Sequence, residues 1–188
     1  MKRSIVLKRL LPAAILAALA ASLAGVAQAG PAEPSVPPEI AVRDGHKPFL
    51  TAHAVGVQIH TCATTPSGYG WKFGGPRAEL YGSNGKLLGT HFSGPSWQTR
   101  DGSKITATLD GDGTITVDPT AIPWLRLRVT SATGGADGDR LARTTYIQRI
   151  QTTGGLAPAP EACNAGTLGH VAEVPYTAVY AFWKATGA

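Results

Sequence analysis

The hydrophobic pattern along most of this chain has a period of two. In "AHAVGVQIHTC", Val55, Val57 and Ile59 project to one side, and Gln58, His60 and Cys62 to the other. "AELYGSNGKLLGTHF" predicts a hairpin, because both residues of Asn84-Gly85 tolerate the positive φ of a two-residue type I′ turn. That register pairs Tyr81 with Leu88, Leu80 with Gly89 and Ala78 with His91. It puts His91 on the face of Ala78, Leu80 and Leu87, taken as the core side. "KITATLDGDGTITVD" predicts a second hairpin turning at Asp110-Gly111-Asp112-Gly113, with Ile115 and Val117 on the returning strand. In "IPWLRLRVT", Leu125, Leu127 and Val129 share one face, while Trp124, Arg126 and Arg128 share the other. "RLARTTYIQRIQT" and the aromatic "VPYTAVYAFWK" complete the series, the latter as a strand or a short helix.

Turn signals recur about every ten residues and no long segment carries a helical period. The pattern predicts an all-β fold of about seven to nine short strands, an antiparallel β-sandwich or a small β-barrel.

The N-terminus changes what counts as mature protein. Lys2, Arg3, Lys8 and Arg9 precede an apolar run, Leu10 to Ala27, and Ala27-Gln28-Ala29 is a small-x-small site. Residues 1–29 are expected to be a secretory signal peptide cut before Gly30. Residues 30–38 read as a Pro-rich flexible lead-in, and residues 39–188 as one β-domain. The expected location is the periplasm or the extracellular medium, with no membrane span after signal cleavage. Four of the 17 Lys and Arg residues lie in the signal; the other 13 face 12 Asp and Glu, a formal charge of +1. Such a surface does not call for nucleic acid as a partner. Cys62 and Cys163 are the two cysteines. In an exported chain an even count suggests one disulfide, with free thiols or a metal site as the alternatives.

"HFSGPSWQTRDGSKI", residues 91–105, concentrates the candidate chemistry. A nucleophile elbow requires G-x-S-x-G, and Gln98 stands where the second glycine belongs. A triad of Ser96, His91 and Asp101 assembled in space remains geometrically open. The structural alternative is a Gly-Pro corner over a buried Trp97, followed by a turn at Asp101-Gly102. His60 and Cys62 share a strand face, as metal ligands can, but no H-E-x-x-H or C-x-x-C spacing accompanies them. Asp110 to Gly113 lacks the ligand spacing of a calcium loop. No phosphate-cradling glycine motif precedes a helix, so neither a metal nor an organic cofactor is expected. Arg149 could hold an anion bidentately or tie down loop carbonyls. Trp71, Trp97, Trp124 and Trp183 could stack on a sugar or fill the core. A small-molecule or carbohydrate ligand is the partner these residues leave open.

Seven segments occur in order: "GVQIHTC", a Trp followed by "GPRAEL", "GTHFSGPSWQTRDGS", "IPWLRL", "IQRIQTTGG", Cys163 and "VPYTAVYAFW". Together they resemble an uncharacterised family of secreted bacterial and fungal proteins known as a domain of unknown function. The likeness spans Val36 to Trp183. It implies that Cys62 and Cys163 recur, which supports the disulfide. It also implies that Gln58, His91, Gly94, Pro95, Trp97, Asp101, Gly102, Ser103, Gln148 and Arg149 match the family motif. His60 departs from it, where Tyr is usual. The resemblance brings no activity. Gln58, His91, Trp97, Asp101, Ser103 and Arg149 therefore stand as a ligand-binding or structural polar cluster. The expected function is non-enzymatic binding or an envelope role, the alternative a small hydrolase or lyase using His91 and Asp101.

Overall fold

A computed structural model describes residues 30–187. The expected signal peptide lies outside the described residues. Eight strands follow in chain order: β1 (His46–Thr65), β2 (Gly68–Tyr81), β3 (Leu87–Phe92), β4 (Ser96–Thr99), β5 (Lys104–Ile115), β6 (Trp124–Thr133), β7 (Tyr146–Gly154) and β8 (Val171–Ala185). Each pairs antiparallel with the next, and β8 pairs with β1 from His46↔Ala185 to Thr61↔Val171. The single sheet therefore closes on itself as a barrel, which removes the free edges that would otherwise template pairing with other chains. Among the described residues no helix is long and apolar enough to cross a membrane.

Alternation sorts side chains into an inner and an outer set. β8 sends Tyr176, Ala178, Tyr180 and Phe182 inward, all 3% exposed or less. They meet Ala52 and Ala54 of β1, Ala78 and Leu80 of β2, Trp97 of β4, Ile105 and Ala107 of β5, and Ile147 of β7. Small residues on one strand make room for the aromatic rings of another, the interdigitation a closed barrel needs. The outer row of β7 and β8 is not left bare. Tyr146, Ala181 and Trp183 pack with Val42 of the N-terminal segment. Gln148 Nε2 donates to Ile40 O (2.7 Å), and Trp183 Nε1 donates to Gln148 Oε1 (2.9 Å). Arg126 reaches across from β6, donating to Ala41 O (2.7 Å) and pairing with the buried Asp110 carboxylate (2.9 Å).

Cys62 and Cys163 form the disulfide, with Cα atoms 5.3 Å apart and a sequence separation of 101. It ties β1 to the segment leading into β8.

Two local expectations are corrected. The β2–β3 connection is a five-residue loop, Gly82 to Lys86, closed by Gly82 N donating to Lys86 O (2.9 Å). The pairs Ala78↔His91 and Leu80↔Gly89 hold, but a register shift then sets Tyr81 opposite Leu87 instead of Leu88. Leu87 falls beyond that irregularity and is 37% exposed, so it does not share the core with His91. Asp110 to Gly113 is not a hairpin turn. β5 runs through it and pairs with β6 on both sides, Leu109↔Leu127 and then Thr114↔Leu125. Gly111, at φ +57°, lets the strand bulge there without reversing. Val117 accordingly lies outside any strand and is exposed.

Candidate ligand pocket inside the barrel

β1 places its polar row inward. Gln58 is 2% exposed and His60 7%, whereas Val55, on the opposite side, is 55% exposed. A strand that buries Gln and exposes Val spends stability, so the interior polar groups need a physical account.

They converge on a cavity of about 340 Å³ bordered by Gln58, His91, Trp97, Arg149 and Tyr180 as its polar wall, with Phe73, Leu125 and Leu127 as apolar wall. Gly74, Gly75 and Gly94 form part of the rim. Gly75 has φ +121°, and a Cβ there would lie 2.2 Å from Ser93 Oγ, so the β2 and β3 ends can approach only as glycine backbone. A smaller cavity of about 230 Å³ adjoins it through Gln58, Phe73 and Arg149. His60 sits there, its Nε2 3.3 Å from Gly155 O.

The hydrogen-bond inventory of this region is incomplete. The buried Tyr176 and Tyr180 hydroxyls interact with each other, and that of Tyr180 also with Arg149. Gln58 Nε2 and Trp97 Nε1 are buried without a partner. Gln58 and Trp97 both border the larger cavity. Each such orphan costs about 1–3 kcal/mol if nothing satisfies it.

His91 lies flat on Trp97, ring centroids 4.2 Å apart, with Tyr180 edge-on at 5.0 Å. Its Nδ1 is 2.9 Å from Ser96 O, a carbonyl that can only accept. Nδ1 therefore carries the proton and Nε2 a lone pair. Burial, with the nearby Arg149 charge in the same direction, lowers its pKa to about 3 despite the bond to Ser96 O, so the imidazole is neutral at ordinary pH. Burial raises the Tyr176 and Tyr180 hydroxyls well above the usual phenol range. Arg149 donates from Nε (3.1 Å) and Nη2 (2.8 Å) to Pro123 O. Among the described residues no carboxylate forms an ion pair with it.

Of the residues singled out in the sequence, Gln58, His91, Trp97 and Arg149 come together here. Asp101 and Ser103 do not line the cavity. Asp101 Oδ1 accepts from Thr99 Oγ1 (2.7 Å), Ser103 Oγ (2.7 Å) and Ser103 N (3.1 Å), and Oδ2 accepts from Arg140 N (2.9 Å). Burial pushes that carboxyl up, but these four bonds outweigh it and hold it far below the usual range. Ser103 Oγ also accepts from Leu141 N (3.1 Å), so the pair pins the β6–β7 connection to the β4–β5 turn. The Ser96 hydroxyl meets Thr106 Oγ1 at 3.1 Å, and His91 contacts only the Ser96 carbonyl. The Gly94-Pro95 corner and the Asp101-Gly102 turn thus flank one short strand, β4, whose Trp97 is fully buried.

Trp71 Nε1 donates to Ala159 O (3.1 Å), and Trp183 is held on the outer face by Gln148. Only Trp97 of the four lines the cavity, so the tryptophans do not form a shared stacking platform. Among the described residues no group of His, Cys, Asp and Glu is arranged to hold a metal, and Cys62 is consumed by the disulfide. Tyr180 and Phe73 complete the site, with Tyr176 behind Tyr180, without having been singled out in the sequence. The usable signal was Tyr176-x-Ala178-x-Tyr180, one face of a buried strand carrying two hydroxyls that must find partners.

The chain is an antiparallel eight-stranded barrel, a class whose interior is just wide enough either to be filled by side chains or to hold one small ligand. Residues 43–184 match the family model described as "Protein of unknown function (DUF3455)", and the chain belongs to that family. No curated protein and no solved structure matches the chain.

Proposed function

We propose that the chain is an exported, non-enzymatic binding protein that holds a small molecule inside its barrel. The observation that carries this reading is that Gln58 and Trp97, each with a buried N–H that lacks a partner, border one cavity together with Arg149, which has no ion-pair partner among the described residues. A site that keeps donors unsatisfied in the free protein gains their full hydrogen-bond energy on binding. Export rests on the charged and apolar N-terminal pattern, and a disulfide is the bond an oxidising compartment maintains. The hydrolase or lyase alternative needs His91 and Asp101 at one reacting centre. Asp101 has its oxygens engaged elsewhere, and no base faces the Ser96 hydroxyl.

The test is a thermal-shift panel of neutral and charged small molecules on the purified protein. A ligand at about 100 times its Kd should add about 2.7 kcal/mol to stability. The shift should vanish in a Gln58→Leu, Tyr180→Phe double variant. A panel in which nothing shifts the melting temperature, together with an interior filled by fully bonded ordered water at high resolution, would remove the binding reading.

A further inference from the structure

The pocket's polar wall is unbalanced in a way that specifies its ligand. Trp97 Nε1, Gln58 Nε2 and the guanidinium of Arg149 can only donate, and the Tyr180 hydroxyl can donate as well. Trp97 and Tyr180 are fully buried and Gln58 is 2% exposed. The receiving side is neutral: the Nε2 lone pair of His91, Gln58 Oε1 and the Tyr180 hydroxyl oxygen can accept, and no Asp or Glu lines either adjoining cavity. Arg149 is fixed by its two bonds to Pro123 O and also reaches the Tyr180 hydroxyl. Arg149 is half-buried and has no ion-pair partner among the described residues, so an anion in the cavity would supply the charge the site lacks.

We propose that the pocket takes a small organic carboxylate, its anion facing Arg149, Trp97 Nε1 and the Tyr180 hydroxyl and its apolar body lying against Phe73, Leu125 and Leu127. This rests on the binding reading above and names its ligand class. The cavity, about 340 Å³, is at the small end of the roughly 300–1,000 Å³ typical of ligand pockets, so the body is ring-sized and not a long chain. A sugar would leave the Arg149 charge without a counter-charge. An ammonium ligand would meet Arg149 head-on. A phosphate dianion would bring two charges to one cation beside an apolar wall. The field of Arg149 also reaches the neighbouring groups, since after burial it is a further cause lowering the His91 pKa, and it works against burial at both tyrosines.

The experiment is calorimetric titration with two matched pairs, benzoate against benzamide and cyclohexanecarboxylate against its amide. Both acids should bind at pH 7, and both amides at least about tenfold more weakly, as expected for loss of a charge-assisted bond. Arg149→Gln should weaken the acids about 10- to 100-fold and leave the amides nearly unchanged. Tyr180→Phe should weaken the acids with the fold intact, and higher ionic strength should weaken the acids alone. Should Arg149→Gln fail to fold, the Tyr180→Phe and salt measurements decide. Amides that bind as tightly as acids, or acids indifferent to both substitutions and to salt, would overturn the carboxylate assignment and leave the pocket reading standing. Absence of saturable binding by all four probes would overturn the assignment, and a flat thermal-shift panel besides would take the pocket reading with it.

Discussion

The imidazole of His91 stacks on the indole of Trp97, centroids 4.2 Å and planes 12° apart, on neighbouring strands whose register sets the two residues opposite each other. The stack is shielded enough to keep the histidine uncharged, so acid must break it. Unfolded His takes a proton near pH 6.5, but folded His91 does so only near 3. Between those values the unfolded state holds more protons, and stability falls as the pH drops through the window, by several kcal/mol in all. Urea denaturation at intervals from pH 7 to 4 should show this slope in the wild type and a much flatter one in His91→Gln. Equal slopes in the two proteins would contradict the buried neutral imidazole.

The two buried tyrosine hydroxyls predict non-additive mutagenesis. Tyr176→Phe and Tyr180→Phe keep the ring and each delete one side of the contact between the two hydroxyls. Each single variant should cost about 1 kcal/mol, and the double variant less than the sum, because both partners of one bond then leave together. Chemical denaturation of the ligand-free single and double variants measures it. Strictly additive costs would mean that the hydroxyls do not interact in the free protein.

Cys62–Cys163 closes a loop of 101 residues. The chain-entropy account gives such a cross-link about 4 kcal/mol or more. A Cys62→Ser, Cys163→Ser double variant, or the wild type in reductant, should unfold at a correspondingly lower denaturant midpoint. A midpoint unchanged by reduction would show that the β1–β8 ladder alone holds the closure.

Ser96 and Asp101 should separate in their effects. A fluorophosphonate probe should leave Ser96 unlabelled, because its hydroxyl pairs with Thr106 and no base approaches it. Asp101→Ala should release the β6–β7 connection, seen as faster amide exchange at Arg140 and Leu141, whose N–H groups are held by Asp101 and Ser103. Covalent labelling at Ser96 would reopen the hydrolase alternative.

What the sequence made legible, and what it hid, follows from how far each signal reaches. Alternation and turn residues located the strands, and the Asn84-Gly85 turn region correctly opposed Ala78 to His91 although the loop proved to be five residues long. Asp110 to Gly113 misled because glycines with positive φ serve a bulge as well as a turn, and only the partner strand tells them apart. Gln58, His91, Trp97 and Arg149 could be grouped because their strands send them to one interior. Asp101 and Ser103 share a motif with His91, yet β4 carries the chain away before they occur, so neighbours in sequence are not neighbours at the pocket. Tyr176 and Tyr180 read as ordinary core because an aromatic strand conceals its hydroxyls among apolar neighbours.

The order of strands also sets an order of events. Seven of the eight strand pairings join consecutive strands and can form locally, as the chain emerges. The eighth must bring Val171–Ala185 back to His46–Thr61, across most of the domain, and it pays the largest loop-closure entropy of the fold. Until that event the growing sheet has two sticky margins and no interior, so an interrupted chain is an aggregation hazard and not a smaller barrel. Oxidation of Cys62 with Cys163 becomes favourable when those same two regions meet. The covalent bond therefore acts as a latch on the slowest step, set only after the circle is complete.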